Sequence, residues 1–201
     1  MEDKKAELFR CGKELFSSKG FKDTGVADIT GMAGFAVGTF YNYYPSKEKL
    51  FMEIFIEENE ALKRKLMAAA NPDDEPLELI RKTIMLNMEG MKSNPILSQW
   101  YNRDVFEKIE RLFREENGMG AMDFFYRDTV ELIRMWQAEG KIRKDIDSGF
   151  IMAMFMAIIN IDTHKDEIGL QYFPKLQEYL TEFVLKGLTE EPPRMIRSES
   201  I

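Results

Sequence analysis

Apolar residues recur at intervals of three and four along most of the chain, which is the spacing of one face of a helix. No segment shows sustained alternation of apolar and polar residues, so the pattern predicts no strand. We therefore expect an all-α fold with about nine helices. They are predicted at about residues 4–19, 25–33, 36–44, 46–70, 77–91, 94–117 (as one helix or a broken pair), 122–139, 150–161 and 172–188.

Start and stop signals agree with these segments. Gly20 is a plausible stop for the first helix, Ser46 follows Pro45 as a cap for the fourth, and Asn94-Pro95 opens a later one. Within the fourth helix, "EENE" (57–60) and "KRK" (63–65) are predicted to face solvent. Its inner side is predicted to consist of Leu50, Ile54, Ala61, Leu62 and Leu66.

The segment 150–161 is apolar around its whole circumference, which predicts burial on every side. Together with the aromatic stripe of the last helix, it offers more apolar surface than one core covers, as at an interface between copies of the chain. The final residues, "EEPPRMIRSES", lack packing side chains and are predicted to be disordered.

Composition narrows the class of protein. The chain has 201 residues, of which 44% are hydrophobic and 31% charged, as in a soluble globular protein. It has one cysteine, which excludes an internal disulfide framework. Its start is charged and helix-like, so no signal peptide is expected, and the longest apolar run is too short to span a bilayer. A cytoplasmic location is predicted.

The net charge of −7 is unevenly distributed. Residues 1–50 hold 8 Lys and Arg against 7 Asp and Glu, whereas residues 51–201 hold 20 against 28. Such asymmetry suggests different partners for the two segments. The acidic body argues against tight non-specific binding to DNA, which depends on the number of neutralised phosphates.

Two short predicted helices are separated by "AGFA" (33–36), with Gly34 at the turn. This arrangement predicts a helix-turn-helix, in which the second helix enters the major groove of DNA. That helix is "VGTFYNYY" (37–44). Phe40 and Tyr44, four residues apart, share a face and are predicted to pack inward. Tyr41 and Tyr43 point away from that face and are therefore predicted to contact DNA.

The run "KGFKDTGVADITGMAGFAVGTFYNYYPSKEKLF" (19–51) resembles the signature of the TetR family of one-component regulators. The resemblance implies an N-terminal three-helix DNA-binding domain and a helical body for ligand binding and dimerisation. The implied boundaries are 1–48 and 49–189, followed by the tail 190–201. The residues it implies as phosphate or base contacts are Thr24, Val37, Gly38, Thr39, Tyr41, Asn42, Tyr43 and Lys47.

The chain departs from the family pattern at three positions. Ala36 replaces the usual serine cap of the recognition helix, Gly25 replaces a threonine, and Thr30 replaces a small alanine. An alanine cap lacks the side-chain acceptor and costs about 0.5–2 kcal/mol of helix stability.

The resemblance implies a homodimer built from the last two helices, which bind a pseudo-palindromic operator with half-sites about 34–36 Å apart. The predicted interface residues are Phe150, Ile151, Met154, Ile158, Phe173, Leu176, Leu180, Phe183 and Val184.

The resemblance to the TetR family also implies a pocket for a small effector. The chain has 14 methionines, which favour an apolar or amphipathic effector, because methionine fits irregular apolar cavities. The candidate wall residues are Met85, Asn87, Met88, Trp100, Tyr101, Phe106, Met122, Phe125, Tyr126 and Phe155. Each apolar member also fits a plain core position. Asn87, flanked by Ile84 and Met91, is either ligand-orienting or satisfied internally. An effector is expected to act by displacing the helix 46–70, which leads directly to the recognition helix.

The sequence also bears on other classes of protein. An enzyme is not expected, because the only histidine, His164, lies in hydrophilic "DTHKDE" and Cys11 lies on an apolar helix face. No metal site, cofactor motif, phosphate loop or nucleophile elbow is present. A helical adaptor without a DNA role leaves Tyr41, Tyr43 and Lys47 unexplained. The sequence does not distinguish a repressor released by a ligand from an activator or from a repressor without an inducer.

Overall fold

The computed structural model describes residues 4–71, 74–173 and 175–189, apart from the side chains of residues 103, 104, 106, 107, 119, 162 and 166. The predicted tail, 190–201, lies outside the described residues. Every regular element in the described ranges is helical, which confirms the all-α prediction. In the described ranges, nine α-helices have five or more residues: α1 Lys4–Lys19, α2 Val26–Ala33, α3 Val37–Tyr41, α4 Lys47–Ala69, α5 Pro76–Ser93, α6 Arg103–Glu115, α7 Asp123–Ala138, α8 Ser148–Asn160 and α9 Lys175–Thr189.

Shorter helical segments connect these elements. Single α-helical turns occupy Gly118–Ala121 and Lys165–Ile168. The 3₁₀ segments are Leu97–Tyr101, Ile161–His164 and Leu170–Tyr172. Among the helices of the described residues, none is long and apolar enough to cross a membrane.

The chain folds into two compact units. Unit 1 comprises the chain up to Ala69 together with Leu86–Phe124, and unit 2 comprises Ala70–Met85 together with the chain from Phe125 onward. Helix α5 contributes residues to both. The functional boundary at residues 48 and 49 stays a prediction.

The core of unit 1 brings α1 against α4. Gly12 makes this close approach possible, because a Cβ atom there would lie 2.7 Å from Cδ2 of Leu50. Beside it, the rings of Phe16, Phe21 and Phe51 pack with centroid separations of 5.1 Å (Phe16–Phe51) and 4.9 Å (Phe21–Phe51). This aromatic cluster anchors the first turn of α4 to the end of α1, directly beside the helix-turn-helix.

The predicted caps are present. The Lys49 amide donates to Oγ of Ser46 at 3.3 Å, and Oδ1 of Asn94 accepts from the amides of Ile96 (2.9 Å) and Leu97 (3.1 Å). The chain after Asn94 forms the broken pair, a 3₁₀ segment followed by α6. In α4, the predicted inner residue Ala61 is instead exposed.

In unit 2, α8 packs against α9. Nε2 of Gln177 donates to the Ile158 carbonyl at 3.2 Å, and the Arg143 amide donates to the Leu188 carbonyl at 2.8 Å. The prediction that α8 is buried on every side is wrong for the single chain. One face is covered by unit 2, whereas the side chain of Phe150 on the opposite face is 62% exposed.

Candidate nucleic-acid interface

Helices α2 and α3 form the predicted helix-turn-helix. They are joined through Gly34, whose φ of 71° lies in the left-handed region that side chains resist. The turn is closed by the Phe35 amide, which donates to the Thr30 carbonyl at 2.9 Å. Helix α3 is shorter than predicted: it ends at Tyr41, and a single turn continues to Tyr44. Pro45 cannot extend the helix, since it lacks an amide hydrogen.

The four aromatic residues of this segment divide as predicted. Phe40 is fully buried and Tyr44 is 3% exposed, so both belong to the core of unit 1. Tyr41 is 55% exposed and Tyr43 is 41% exposed. The dense run of aromatic residues is therefore half core and half surface.

We define the recognition surface as the exposed or half-exposed residues of this segment, which are Val37, Gly38, Thr39, Tyr41, Asn42 and Tyr43. Gly38 lies in open space: apart from its chain neighbours and the backbone of its own helix, no heavy atom comes within 4 Å of the position of a Cβ there. A backbone without a side chain can approach a ligand closely at that point. The surface offers hydroxyls, an amide and an apolar contact, which are the groups that read phosphates and base edges.

Thr24, predicted to contact DNA, is not on this surface. Its side chain is fully buried, and its hydroxyl donates to the Gly20 carbonyl at 2.8 Å. Because the hydroxyl is already used inside the fold, Thr24 fixes the turn between α1 and α2 and offers no side-chain group to a ligand.

Lys47 has a structural role that the sequence did not reveal. Its ammonium donates to the carbonyls of Phe21 and Thr24, both at 2.8 Å, and lies 4.6 Å from the centroid of the Phe21 ring. These contacts tie the first turn of α4 to the α1–α2 turn. Lys47 is half-buried, and its predicted contact with phosphate stays a prediction.

Both helices of the motif have incomplete caps. Ala36 caps α3 in an extended conformation (φ −69°, ψ 148°) with no side-chain hydrogen bond. At the start of α2, the Gly25 amide donates to Oδ2 of Asp28 at 2.8 Å. Gly25 has no side-chain oxygen that could in turn accept a hydrogen bond from a backbone amide of the first turn. The recognition helix thus depends on its packing through Phe40 more than on its own ends.

Replacing Ala36 with serine is expected to raise the free energy of unfolding by about 1 kcal/mol, because the backbone already has the capping conformation and Oγ would accept an amide hydrogen of the first turn. Thermal or urea unfolding measures the change. Ala61→Ser makes the same substitution at an exposed position inside α4 and should lose a few tenths of a kcal/mol. Equal effects of the two substitutions would contradict the capping argument.

The predicted ligand-pocket residues divide between the two units. Asn87, Met88, Trp100, Tyr101 and Met122 belong to unit 1, and Met85, Phe125, Tyr126 and Phe155 belong to unit 2. The side chain of Phe106 lies outside the described part of the chain. Met85 does not fit an enclosed wall, because it is 63% exposed on the outer face of α5. Trp100 packs in the core of unit 1, with its ring 5.8 Å from Phe55 and 5.7 Å from Phe113.

Unit 1 contains a buried polar cluster that the sequence pattern did not predict. Lys63 and Asn59, both from stretches predicted to face solvent, are only 9% and 8% exposed. Nζ of Lys63 donates to Oδ1 of Asn87, which is 2% exposed. Burial lowers the pKa of Lys63 from 10.5 to about 8. The sequence did contain an indication of this burial. Phe55, Asn59 and Lys63 are spaced four residues apart, so both polar residues lie on the buried face of α4.

Helix α6 contacts the first turn of α4 through charged groups. Lys108 pairs with Glu48 at 2.6 Å, and Lys49 pairs with Glu116, which follows α6. The pKa of Glu48 lies below its ordinary value: burial alone would raise it, but hydrogen bonds, including one from Lys108, outweigh that effect. A cavity of about 410 Å³ lies here, lined by Tyr43, Tyr44, Pro45, Lys49, Glu53, Ile56 and Glu116.

The predicted interface residues of α8 and α9 differ in exposure. Phe150 and Phe183 are each 62% exposed, and Phe183 stacks on Tyr179 with ring centroids 6.0 Å apart. Ile151 and Ile158 are buried inside unit 2, so their side chains are not available to a second chain. The remaining members, Met154, Phe173, Leu176, Leu180 and Val184, are half-buried.

Comparison with known proteins agrees with this geometry. Residues 8–54 match the model of a family described as bacterial regulatory proteins, tetR family. The HTH-type transcriptional repressor KstR2 of Mycolicibacterium smegmatis is 23% identical over 193 residues, which are 92% of this chain and 90% of KstR2.

Solved structures share the fold. The FadR repressor of Thermus thermophilus, solved in complex with lauroyl-CoA, superposes with a TM-score of 0.65 at 20% identity over 94% of this chain and 98% of FadR. RolR in complex with resorcinol gives a TM-score of 0.62 at 17% identity over 93% of this chain and 88% of RolR. At these identities the likeness shows the fold alone.

Proposed function

We propose that the chain is a transcriptional regulator of the TetR family and acts as a homodimeric repressor, released from a pseudo-palindromic operator by a small apolar or amphipathic effector. The observation that carries the proposal is the recognition surface on α3. Its exposed tyrosines, Asn42 and open Gly38 are presented by a helix whose buried side, through Phe40, is fixed in the core.

DNA recognition follows from the chemistry of that surface. In a helix-turn-helix the second helix lies in the major groove with its first residues at the base edges. Val37 and Gly38 come first in α3, so we assign them, with Asn42, to base contacts. Tyr41 and Tyr43, which are exposed beyond them, are assigned with Thr39 to phosphate contacts. Lys47 adds a positive charge at the start of α4 while it holds the neighbouring turn.

Dimerisation is supported by the uncovered apolar residues of unit 2. Phe150 on α8 and the stacked Tyr179 and Phe183 on α9 are 55–62% exposed. Large aromatic side chains left on a surface in this way mark an interaction site. A twofold dimer would present two recognition helices to half-sites one helical turn of DNA apart.

Release by an effector requires that it bind the two conformations of the protein with different affinity. We propose that the conformational change caused by the effector reaches the recognition helix through α6 and α4. The pairs Lys108–Glu48 and Lys49–Glu116 join α6 to the first turn of α4, three residues after the end of the recognition segment at Tyr44. Movement of α6 would therefore shift α4 and, with it, α3. That proteins of the same fold were solved with lauroyl-CoA and resorcinol supports a small-molecule effector.

Selection of duplex DNA by the purified chain at about 150 mM salt tests the proposal. We expect a pseudo-palindrome to be enriched, and Tyr41→Ala to weaken binding to it by about tenfold or more. Met85→Ala is the control, because Met85 is 63% exposed, Tyr41 is 55% exposed, and Met85 lies outside α3, α8 and α9. The control variant should bind as the native chain does.

Failure to enrich any sequence, with the native chain folded, would favour the helical adaptor. If a sequence is enriched but Tyr41→Ala binds it as tightly as the native chain does, the DNA contacts lie outside α3. Transcription from the selected operator in a cell-free system then separates a repressor from an activator, since only a repressor lowers it.

A further inference from the structure

The helix-turn-helix contains no positively charged side chain. From Asp23 to Ser46 the sequence has neither lysine nor arginine. These two residues make the commonest specific contact with guanine, whose major-groove edge presents two acceptors. A base pair that lies against α3 therefore meets side chains of another kind. Among the residues of the recognition surface, Asn42 is the one with a side-chain amide.

Asn42 lies at the centre of the recognition surface. The Tyr44 amide donates to the Phe40 carbonyl at 2.9 Å, so the backbone keeps helical spacing between these two residues. At about 100° per residue, Asn42 is about 180° from the midpoint of the buried Phe40 and Tyr44. Tyr41 and Tyr43 lie about 100° to either side of it. Asn42 thus points directly away from the core, and the two tyrosines flank it.

The side-chain amide of Asn42 is accessible. Asn42 is exposed, and within the described ranges its side-chain amide has no hydrogen-bond partner. Gly38 lies one turn earlier, near the same line along the helix. Because helical side chains lean toward the N-terminus, the amide of Asn42 extends over the gap that Gly38 leaves. Gly38 therefore presents no side chain that would keep a base edge away from this amide.

The dimensions of α3 place Asn42 against the bases. Residues 37–42 rise about 9 Å along the helix axis, which is less than the width of about 12 Å of the major groove. With α3 in that groove, the side opposite the core faces the base edges. An asparagine amide matches adenine, because Oδ1 accepts from N6 and Nδ2 donates to N7. Guanine presents acceptors at both positions, so Oδ1 would face another acceptor.

We propose that Asn42 reads an adenine in each half-site of the operator, through paired hydrogen bonds to N6 and N7 of the base. The inference rests on the proposed function, since it requires that α3 bind duplex DNA. It adds that the base pair facing the centre of α3 is A·T. Because Asn42 is uncharged, its loss changes the sequence preference and leaves the salt dependence of operator binding unchanged.

Selection of random duplex DNA by Asn42→Ala, beside the native chain, is the first test. The variant should lose the preference for adenine at one position of each half-site, keep the other positions, and bind the native operator about tenfold more weakly. The slope of its affinity against salt concentration should equal that of the native chain. Asn71→Ala is the control, because Asn71 is also exposed and lies outside the helix-turn-helix. It should select the native operator.

The second test places 7-deazaadenine at that position in both half-sites, which removes N7 and keeps Watson–Crick pairing. The native chain should bind this duplex severalfold more weakly than the unmodified one, because one of two hydrogen bonds is lost. Asn42→Ala should bind both duplexes equally. An equal loss for both proteins would show that another group contacts N7, which overturns the proposal.

Two results of the selection also overturn it. The first is relaxation by Asn42→Ala at a pair other than A·T, or at none. The second is uniform weakening on every sequence with a smaller salt slope, which indicates a phosphate contact. If the folded native chain enriches no sequence, the proposed function and this inference fail together. An enriched operator whose adenine does not depend on Asn42 overturns the inference alone.

Discussion

A chain in which Lys63 is replaced with methionine and Asn87 with leucine should have a free energy of unfolding about 3 kcal/mol higher than the native chain at pH 7. Burial lowers the pKa of Lys63 from 10.5 to about 8. One pKa unit corresponds to about 1.4 kcal/mol, so the charged form is destabilised by about 3 kcal/mol in the fold. Replacing both partners matters, because methionine alone would leave Oδ1 of Asn87 unsatisfied.

The stabilisation should depend on pH in a defined direction. Below about pH 8 both folded and unfolded chains keep the proton on Lys63, so the cost of the buried charge is fully present. Between about pH 8 and 10.5 the folded chain has lost the proton and the unfolded chain still holds it. The native chain therefore gains stability relative to the double variant as pH rises through this window, and their difference shrinks.

Urea unfolding of both chains at pH 7, 8, 9 and 10, at one protein concentration, measures this difference. Groups that titrate in both chains cancel. Lys65→Met, from the exposed side of α4, should show neither the gain at pH 7 nor the pH dependence. A difference that stays constant from pH 7 to 10 would show that Lys63 is not the titrating group.

Much of the motif was predictable because local rules determine it. Helix α1 was predicted at its observed bounds, Lys4–Lys19, since its apolar stripe ends at a glycine. The caps at Ser46 and Asn94 formed as expected. The four-residue spacing of Phe40 and Tyr44 separated buried from exposed aromatic residues, because both sit on the same side of one short turn.

The errors arose where a partner comes from another part of the chain. Lys63 looked solvated within "KRK", but its partner Asn87 lies 24 residues away. Lys47 was predicted only as a cation for phosphate, and its bonds to Phe21 and Thr24 depend on how the α1–α2 turn folds back. Periodicity shows which face of a helix is buried. It does not show that a polar residue on that face has a partner.

Replacing both Phe150 and Phe183 with aspartate should convert the chain to a monomer and lower its affinity for the operator by about 100-fold or more. Each side chain is 62% exposed in the single chain, so the substitutions remove little packing from the protomer. In the proposed dimer they would place charges in an apolar interface, which is strongly unfavourable. A monomer loses the gain from binding two linked half-sites, which is about 10²–10⁴-fold.

Sedimentation and operator titration of the same samples separate the two effects. Met85→Asp is the matched control: Met85 is 63% exposed, also in unit 2, and lies outside α8 and α9. This control should remain dimeric and bind DNA normally, with the unfolding midpoint of the protomer unchanged. If the double variant stays dimeric, the interface lies away from Phe150 and Phe183. If it becomes monomeric yet binds the operator as tightly as the native chain, one recognition helix suffices and the pseudo-palindrome is not required.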